Sequence, residues 1–332
     1  MNVTIKDIAA RAGVSYASVS RALTGKPGVS DETRQKILKL AGEMHYQPNA
    51  MARSMVKKRT KTLGLIIPDI LNPFFPEIAR GVEDAAHARG YSIFLCNSSW
   101  NPQKERRYME LLVQRRVDGI ILVPVDDHKS PADYRGLLED RFPLLFLSAE
   151  ADDPESLCLR VDNLLGGYMA ASLVLKKGCR KLAFVGGESG KPGVNERLEG
   201  ARRAAEEAGT VLPEERVVLS GFGMNSGVRA IRELLDGPDL PDAVIAENDD
   251  IAMGVLQGAR EMGVAIPGEL SVVGFDNIPA SAIMGIDLTT IGQPKYKMGE
   301  MAVDMLLSHI DGDTSFSRQV VLEPVLIERK TT

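Results

Sequence analysis

The stretch TIKDIAARAGVSYASVSRAL, residues 4–23, decides how the start of the chain folds. Thr4 with Asp7 three residues later has the form of a capping box, and Ile5, Ile8 and Ala9 recur at helical spacing, so a short helix is predicted to about Ala12. Gly13 ends it. Val14 then points back into a small core, and Ser15 can cap a second helix packed through Ala17, Val19, Ala22 and Leu23. Two short helices meeting at a glycine turn read as a helix-turn-helix, although the same spacing suits any small helical bundle. In the helix-turn-helix reading the second helix presents Tyr16, Ala17, Ser18, Ser20 and Arg21, which suit a DNA major groove.

Working outward, Lys26-Pro27-Gly28 breaks the chain and Ser30 starts a third helix, with Asp31 and Glu32 at its positive end. Ile37, Leu38, Ala41 and Met44 form the apolar stripe expected to close a three-helix core, and Tyr46-Gln47-Pro48 ends the helix. The charge agrees with a nucleic-acid role for this head. Residues 1–61 carry 12 Lys and Arg against 4 Asp and Glu, while the remainder carries 28 against 41. The head is therefore +8 and the body −13, inside a net charge of −5. A compact basic end suits local phosphate contact, or simply a solvated basic surface, and an acidic body does not wrap nucleic acid along its length.

A chain of 332 residues with 44% hydrophobic content is long enough for two or three folding units. No stretch approaches the roughly 20 uninterrupted apolar residues of a membrane span, and the N-terminus lacks a signal peptide's apolar segment, so a soluble cytoplasmic protein is expected. Cys96, Cys158 and Cys179 are odd in number and lack CxxC spacing, which points to buried reduced thiols rather than disulfides or a zinc ribbon.

After the head, Asn49 can cap a short run of helix formers to Lys57, followed by Lys58-Arg59-Thr60-Lys61. A helix this short is marginal in water and should order only against a packing partner, such as its two-fold mate on DNA. From Thr62 the pattern changes to apolar runs alternating with helical stretches. Residues 63–67, 92–95, 119–123 and 144–147, then 181–185, 243–246 and 270–275, read as parallel strands buried on both faces. Helices are expected from about Glu77 to Arg89 and from Lys104 to Arg115. The fold class is thus α/β: an all-α helix-turn-helix head with a short linking helix, then two doubly wound parallel-sheet lobes, which the resemblances given below make a hinge helix and lobes of periplasmic-binding-protein type.

Doubly wound sheets bind ligands beyond the carboxyl ends of their strands. Those ends carry Asn72-Pro73-Phe74-Phe75, Ser148, Arg197 beyond a glycine-rich loop, Asn248-Asp249, Asp276-Asn277 and Gln293-Pro294. Gly186-Gly187-Glu188-Ser189-Gly190 lacks the spacing of either phosphate-binding glycine motif and reads as a polar loop. His45, His87, His128 and His309 are scattered, with no metal-ligand spacing and no GxSxG elbow. No catalytic residue, metal or cofactor is expected, and the chain is not read as an enzyme.

Residues 4–9, 12–15, 19–23, 29–30 and 46–49 together resemble the DNA-binding head of the lactose/galactose repressor family of bacterial transcription regulators. The resemblance implies that Tyr16, Ala17 and Arg21 face base edges and that Ser15, Ser18 and Ser20 serve backbone or neighbouring contacts. It also implies a hinge helix that wedges an apolar residue, usually leucine, into the minor groove; here the position is Met55. The body is similar to periplasmic sugar-binding proteins, ribose-binding proteins especially, through residues 72–75, 162–167, 196–200, 248–254, 273–276 and 293–294. That likeness implies pocket roles for Asn72, Phe74, Phe75, Arg197, Phe222, Asn248, Asp276 and Gln293. Aromatic rings would face the apolar side of a sugar and polar groups its hydroxyl rim, although Phe75 and Phe222 also fit core positions. Ser148-Ala149 stands where ribose-binding proteins carry an Asp-Arg pair, which departs from a ribose site.

The expected domains are a head over 1–48, a hinge helix and linker over 49–61 and a sensor over 62–332. The sensor divides into an N-lobe of about 62–162 plus 294–322 and a C-lobe of about 163–293 plus 323–332. The expected function is a repressor-type regulator acting as a homodimer on double-stranded operator DNA under control of a sugar-like effector. The alternative is a regulator controlled by a phosphorylated partner protein, as in the family's catabolite control proteins. Asp304 stands where those relatives present an arginine to phosphate and would repel it.

Overall fold

A capping box starts the first helix. The Thr4 hydroxyl accepts the Asp7 amide at 3.4 Å, and the Asp7 carboxylate accepts the Thr4 amide at 2.8 Å. In the computed structural model, which describes residues 3–46, 59–126, 131–134, 137–138, 142–150, 153–188, 191 and 193–332, this gives helix α1 over Ile5–Ala12. Gly13 closes α1 in the left-handed region (φ 71°), which its missing side chain permits. Ser15 caps α2, Tyr16–Leu23, by accepting the Ser18 amide at 3.1 Å, and Ser30 caps α3, Asp31–Glu43. Ile8, Ala9, Ala12, Val19, Ala22, Ile37 and Ala41 form the core.

Two expectations for the head fail. Leu38 is 42% exposed, because the inward stripe of α3 runs through Ile37, Leu40, Ala41 and Met44, leaving Leu38 one helical step off that face. Ala17 is exposed rather than packed. The hinge calls on Asn49 and Met55 lie outside the described residues.

The chain separates into a unit ending at Thr60 and a second covering Lys61–Thr332. The second unit begins with β1, Thr62–Ile67, and continues through α4, Phe74–Ala88; β2, Ser92–Asn97; α5, Pro102–Gln114; β3, Gly119–Leu122; β4, Leu144–Leu147; and β5, Leu157–Val161. Then come α6, Asn163–Lys176; β6, Leu182–Gly186; α7, Val194–Glu207; β7, Val217–Leu219; α8, Met224–Asp236; β8, Ala243–Ala246; α9, Asp249–Glu261; and β9, Ser271–Asp276. β10, Thr289–Gly292; α10, Lys295–Asp311; β11, Gln319–Leu322; and β12, Val325–Ile327, follow.

One sheet has the order β11-β5-β4-β3-β1-β2 and the other β12-β10-β9-β8-β6-β7. The chain therefore passes between sheets after β5, after β10 and after β11. Every pairing is parallel except β10 with β12, so the second sheet is not purely parallel as expected. β2 also departs from expectation. As an edge strand it leaves Phe94 and Leu95 nearly half exposed instead of buried on both faces. α4 starts at Phe74, three residues early, because the Asn72 side chain accepts the Phe74 amide at 2.9 Å and turns the chain into the helix there. α5 starts at Pro102, capped by Asn101. Cys96 and Cys158 are buried as expected and Cys179 only half-buried, all as free thiols. Among the described residues no helix is long and apolar enough to cross a membrane.

Three helix pairs meet backbone to backbone through glycine: α4 with α10 at Gly81 and Gly299, α6 with α7 at Gly167 and Gly200, and α8 with α9 at Gly227 and Gly254. A side chain on Gly167 would be driven into the carbonyl of Arg197, and one on Gly200 into the carbonyl of Leu164. Backbone cannot yield as a flexible side chain can. Gly167→Ala should therefore lower stability by about 1–3 kcal/mol or more, read as a lower melting temperature. An unchanged melting temperature would mean that α6 and α7 separate at no cost.

Candidate functional site

The carboxyl ends of both sets of strands face one cleft, with about 580 Å³ of empty space including the part open to solvent. Asn72, Phe74 and Phe75, at the start of α4, and Ser148, just past β4, line it from the first lobe. Arg197 on α7, Phe222 before α8, Asn248 before α9 and Asp276 at the end of β9 line it from the second. Gln293 lines it where the chain passes between lobes. All nine sequence-derived residues thus surround one space.

Their partners define what each can still do. Arg197 is 9% exposed; its Nε donates to Asn163 Oδ1 at 2.9 Å and its Nη1 to the Glu247 carbonyl at 2.6 Å. The guanidinium also lies 3.7 Å above the Phe275 ring centre. Asn248 Oδ1 accepts the Ile251 amide at 2.8 Å, capping α9, so its NH2 group is what it can offer a ligand. Asp276 Oδ1 accepts from Gln293 Nε2 at 2.7 Å, while Lys295 Nζ donates to the Asp276 carbonyl at 2.6 Å. Asp276 and Asn277 both adopt positive φ, 108° and 51°, a strained bend that ends β9 at the cleft. Ser148, also at positive φ, has a buried hydroxyl with no hydrogen-bond partner among the described residues. A buried hydroxyl left so is costly and suits a ligand that completes it.

Sequence reasoning missed Trp100, Asn163 and Glu247. Trp100, at φ 55° in a turn after β2, stacks on Phe222 across the cleft, with ring centres 4.5 Å apart and planes 4° from parallel. Asn163, the first residue of α6, joins Arg197 to Glu196: its amide donates to Glu196 Oε2 at 2.9 Å. Glu247 sits at the end of β8, one residue before Asn248, and accepts the Gly187 amide through Oε2. The rule that strand ends carry the site pointed at Glu247, directly after β8, whereas Trp100 lies three residues beyond β2.

In the head, Tyr16 is 56% exposed and Ala17 and Arg21 are exposed on the same helix, while Ser18 and Ser20 are half-buried. The Ser15 and Ser18 hydroxyls lie 2.9 Å apart at the cap of α2. Tyr16, Ala17 and Arg21 face outward, as does Ser15 at the cap.

With fold and cleft in place, comparison with known proteins assigns the chain. Residues 4–49 match the model of bacterial regulatory proteins of the lacI family, and residues 171–332 match a periplasmic binding protein-like domain. The ribose operon repressor of Escherichia coli (strain K12) is 35% identical over 329 residues, covering 98% of each chain. The chain belongs to the lacI family of bacterial transcription regulators. A solved complex of the transcriptional regulator CelR with cellobiose covers 100% of both chains at 29% identity, with a TM-score of 0.75. A lac repressor dimer bound to operator, 24% identical over 100% of this chain and 99% of its own, shares the fold at a TM-score of 0.89.

Three carboxyls in and behind the cleft of this regulator are held well above their ordinary range by burial. Glu247 is pushed up to about 7 and Asp276 to about 6, both against the opposing pull of Arg197. Asp249 is pushed up to about 8 by burial and then by Asp276, although it accepts from Thr290 and Ile278. Such groups hold protons in the folded state that the unfolded chain has already released. Their stabilising protonation is complete below the unfolded values near 4 and is lost as pH rises through about 6 to 8. Unliganded Glu247→Gln should therefore lose less melting temperature than the parent between about pH 5 and pH 8. Identical slopes would return Glu247 to the ordinary carboxylate range.

Proposed function

We propose that the chain is a cytoplasmic homodimeric repressor whose head and hinge bind a palindromic operator, and whose cleft takes a sugar-sized, hydroxyl-rich effector that controls DNA binding. The observation that carries this reading is the cleft itself. Rings from Phe74, Phe75 and Phe222 surround a space whose free polar groups include both donors and acceptors, which is what a sugar's C–H faces and hydroxyls require. Homology to a ribose operon repressor and to a cellobiose-bound regulator points the same way. The domain limits are proposed as 1–48, 49–61 and 62–332, with Asn49 and Met55 serving the hinge. No catalysis and no cofactor are proposed; among the described residues no acidic, histidine or cysteine cluster is arranged to hold a metal.

Control by a phosphorylated partner protein is the weaker reading. At the position where phosphate would dock, Asp304 is half-exposed and pairs with Arg89, an acid where a phosphate calls for a cation.

Two experiments test the proposal. Operator affinity should fall with salt by a log–log slope of about −0.9 per neutralised phosphate, and Arg21→Ala should cost about 1–3 kcal/mol and relax preference at one base pair per half-site. A uniform loss over all sequences would make Arg21 a phosphate contact, and salt-insensitive binding would remove the head's DNA role. In the cleft, Asp276→Ala should weaken effector binding about tenfold or more while leaving effector-free DNA affinity unchanged. Trp100 is the chain's single tryptophan, so its emission reports the cleft directly. Equal titrations of parent and variant would move the sensing site elsewhere.

A further inference from the structure

We infer that Glu247 is a specificity-determining residue of the cleft, and that with Asp276 it selects hydroxyl-rich effectors carrying no negative charge over their phosphorylated or carboxylated counterparts. The inference rests on the reading of the cleft as a sugar site and narrows the class of sugar it accepts.

The argument starts from charge. Among the described lining residues the charged side chains are Arg197, Glu247 and Asp276, two acids against one base. Both acids are nearly closed off from bulk water, at 4% and 5% exposure. Arg197 gives Nε to Asn163 and Nη1 to the Glu247 carbonyl and lies over the face of Phe275, so only part of its guanidinium edge is left for a ligand. Lys295, below the cleft, donates to the carbonyls of Asp276 and Asn277 and pairs with Glu77 at 3.3 Å. Lys191 pairs with Asp126 at 2.9 Å. Once both acids have released their protons, an incoming anion therefore meets two carboxylates against one partly occupied guanidinium, and in a medium less polarisable than water the net repulsion is strong.

Hydrogen-bond capacity points the same way. Glu247 uses Oε2 for Gly187, and Asp276 uses Oδ1 for Gln293, so each keeps a second oxygen that no described residue fills. When the two acids are ionised those oxygens only accept, so they call for O–H or N–H groups on the ligand, which an ionised phosphate or carboxylate group lacks. Gly187 fixes where Glu247 acts. Any side chain there would strike both the Phe222 ring and Glu247 Oε2, so a bare backbone at Gly187 is what lets ring and carboxylate both stand at the cleft.

The test uses the full chain and calorimetric titration, at a pH above the range in which both acids release their protons, with D-ribose, D-glucose, D-galactose and D-glucosamine, set against ribose 5-phosphate, glucose 6-phosphate and galacturonate. At least one neutral or amino sugar should bind, with its anionic counterpart at least about tenfold weaker. An anion binding as tightly as its neutral partner would overturn the inference and leave the sugar-site reading standing. Binding by none of the panel would overturn that reading, and the inference with it. In Glu247→Gln, neutral-sugar affinity should fall about tenfold and the gap to the anion should narrow; an unchanged gap would remove Glu247 from the selection. Should that variant not fold, Glu247→Asp keeps the charge on a shorter arm. It should weaken the neutral sugar while still excluding anions, and any gain of anion binding would overturn the assignment.

Discussion

Backbone-to-backbone contact between α6 and α7 is the constraint on which the cleft depends. Where Gly167 passes the carbonyl of Arg197, the two helices lie closer than any side chain would allow. That closeness carries the Arg197 side chain over Phe275 and within reach of Asn163 and the Glu247 carbonyl. A helix pushed outward by one methyl group would lift the guanidinium off all three. The same device recurs at Gly81 with Gly299 and at Gly227 with Gly254. Both lobes thus hold their helices close through small residues, and the strand ends between them stay open for polar side chains.

The cleft is assembled at a cost to stability. Glu247 and Asp276 are buried acids, Asp276 sits at a strained φ of 108°, and the Ser148 hydroxyl is buried without a partner among the described residues. Each is unfavourable for folding, and a ligand's hydroxyls would complete the two carboxyls and the Ser148 hydroxyl while leaving the backbone strain in place. Strain and unmet polar groups concentrated in one place are what a binding site retains against the pressure for stability.

Much of this was legible beforehand, for identifiable reasons. Caps at Thr4, Ser15 and Ser30 are local signals read from a few residues, and the structure places all three. Strand ends follow from hydrophobic runs, and the rule that ligands gather there brought Asn72, Ser148, Asn248, Asp276 and Gln293 to one space. What escaped depends on tertiary placement. Nothing in the run Ser92–Asn97 tells an edge strand from a central one, so the exposure of Phe94 and Leu95 was hidden. Leu38 and Leu40 are equally apolar, and only the phase of α3 separates them. Trp100 reaches the cleft through two consecutive positive φ angles at Ser99 and Trp100, which no residue preference announces. Glu247 was overshadowed by its neighbour Asn248, whose motif drew attention while the acid beside it entered the same space.

The contacts spanning the cleft bear on how a ligand can act. Trp100 from the first lobe stacks on Phe222 from the second, Asp126 pairs with Lys191, and Arg160 on β5 reaches Glu196 on α7 at 3.1 Å. None of these requires an effector, so the lobes in this arrangement are already joined by protein alone. A ligand shifts an equilibrium only by the difference between its affinities for two states. An effector that merely added contacts to an arrangement already joined would deepen it. One that needed the room between Trp100 and Phe222 would have to part the stack, and would favour a different spacing of the lobes. The bulk that a ligand brings to that aromatic pair thus bears on which spacing of the lobes it favours.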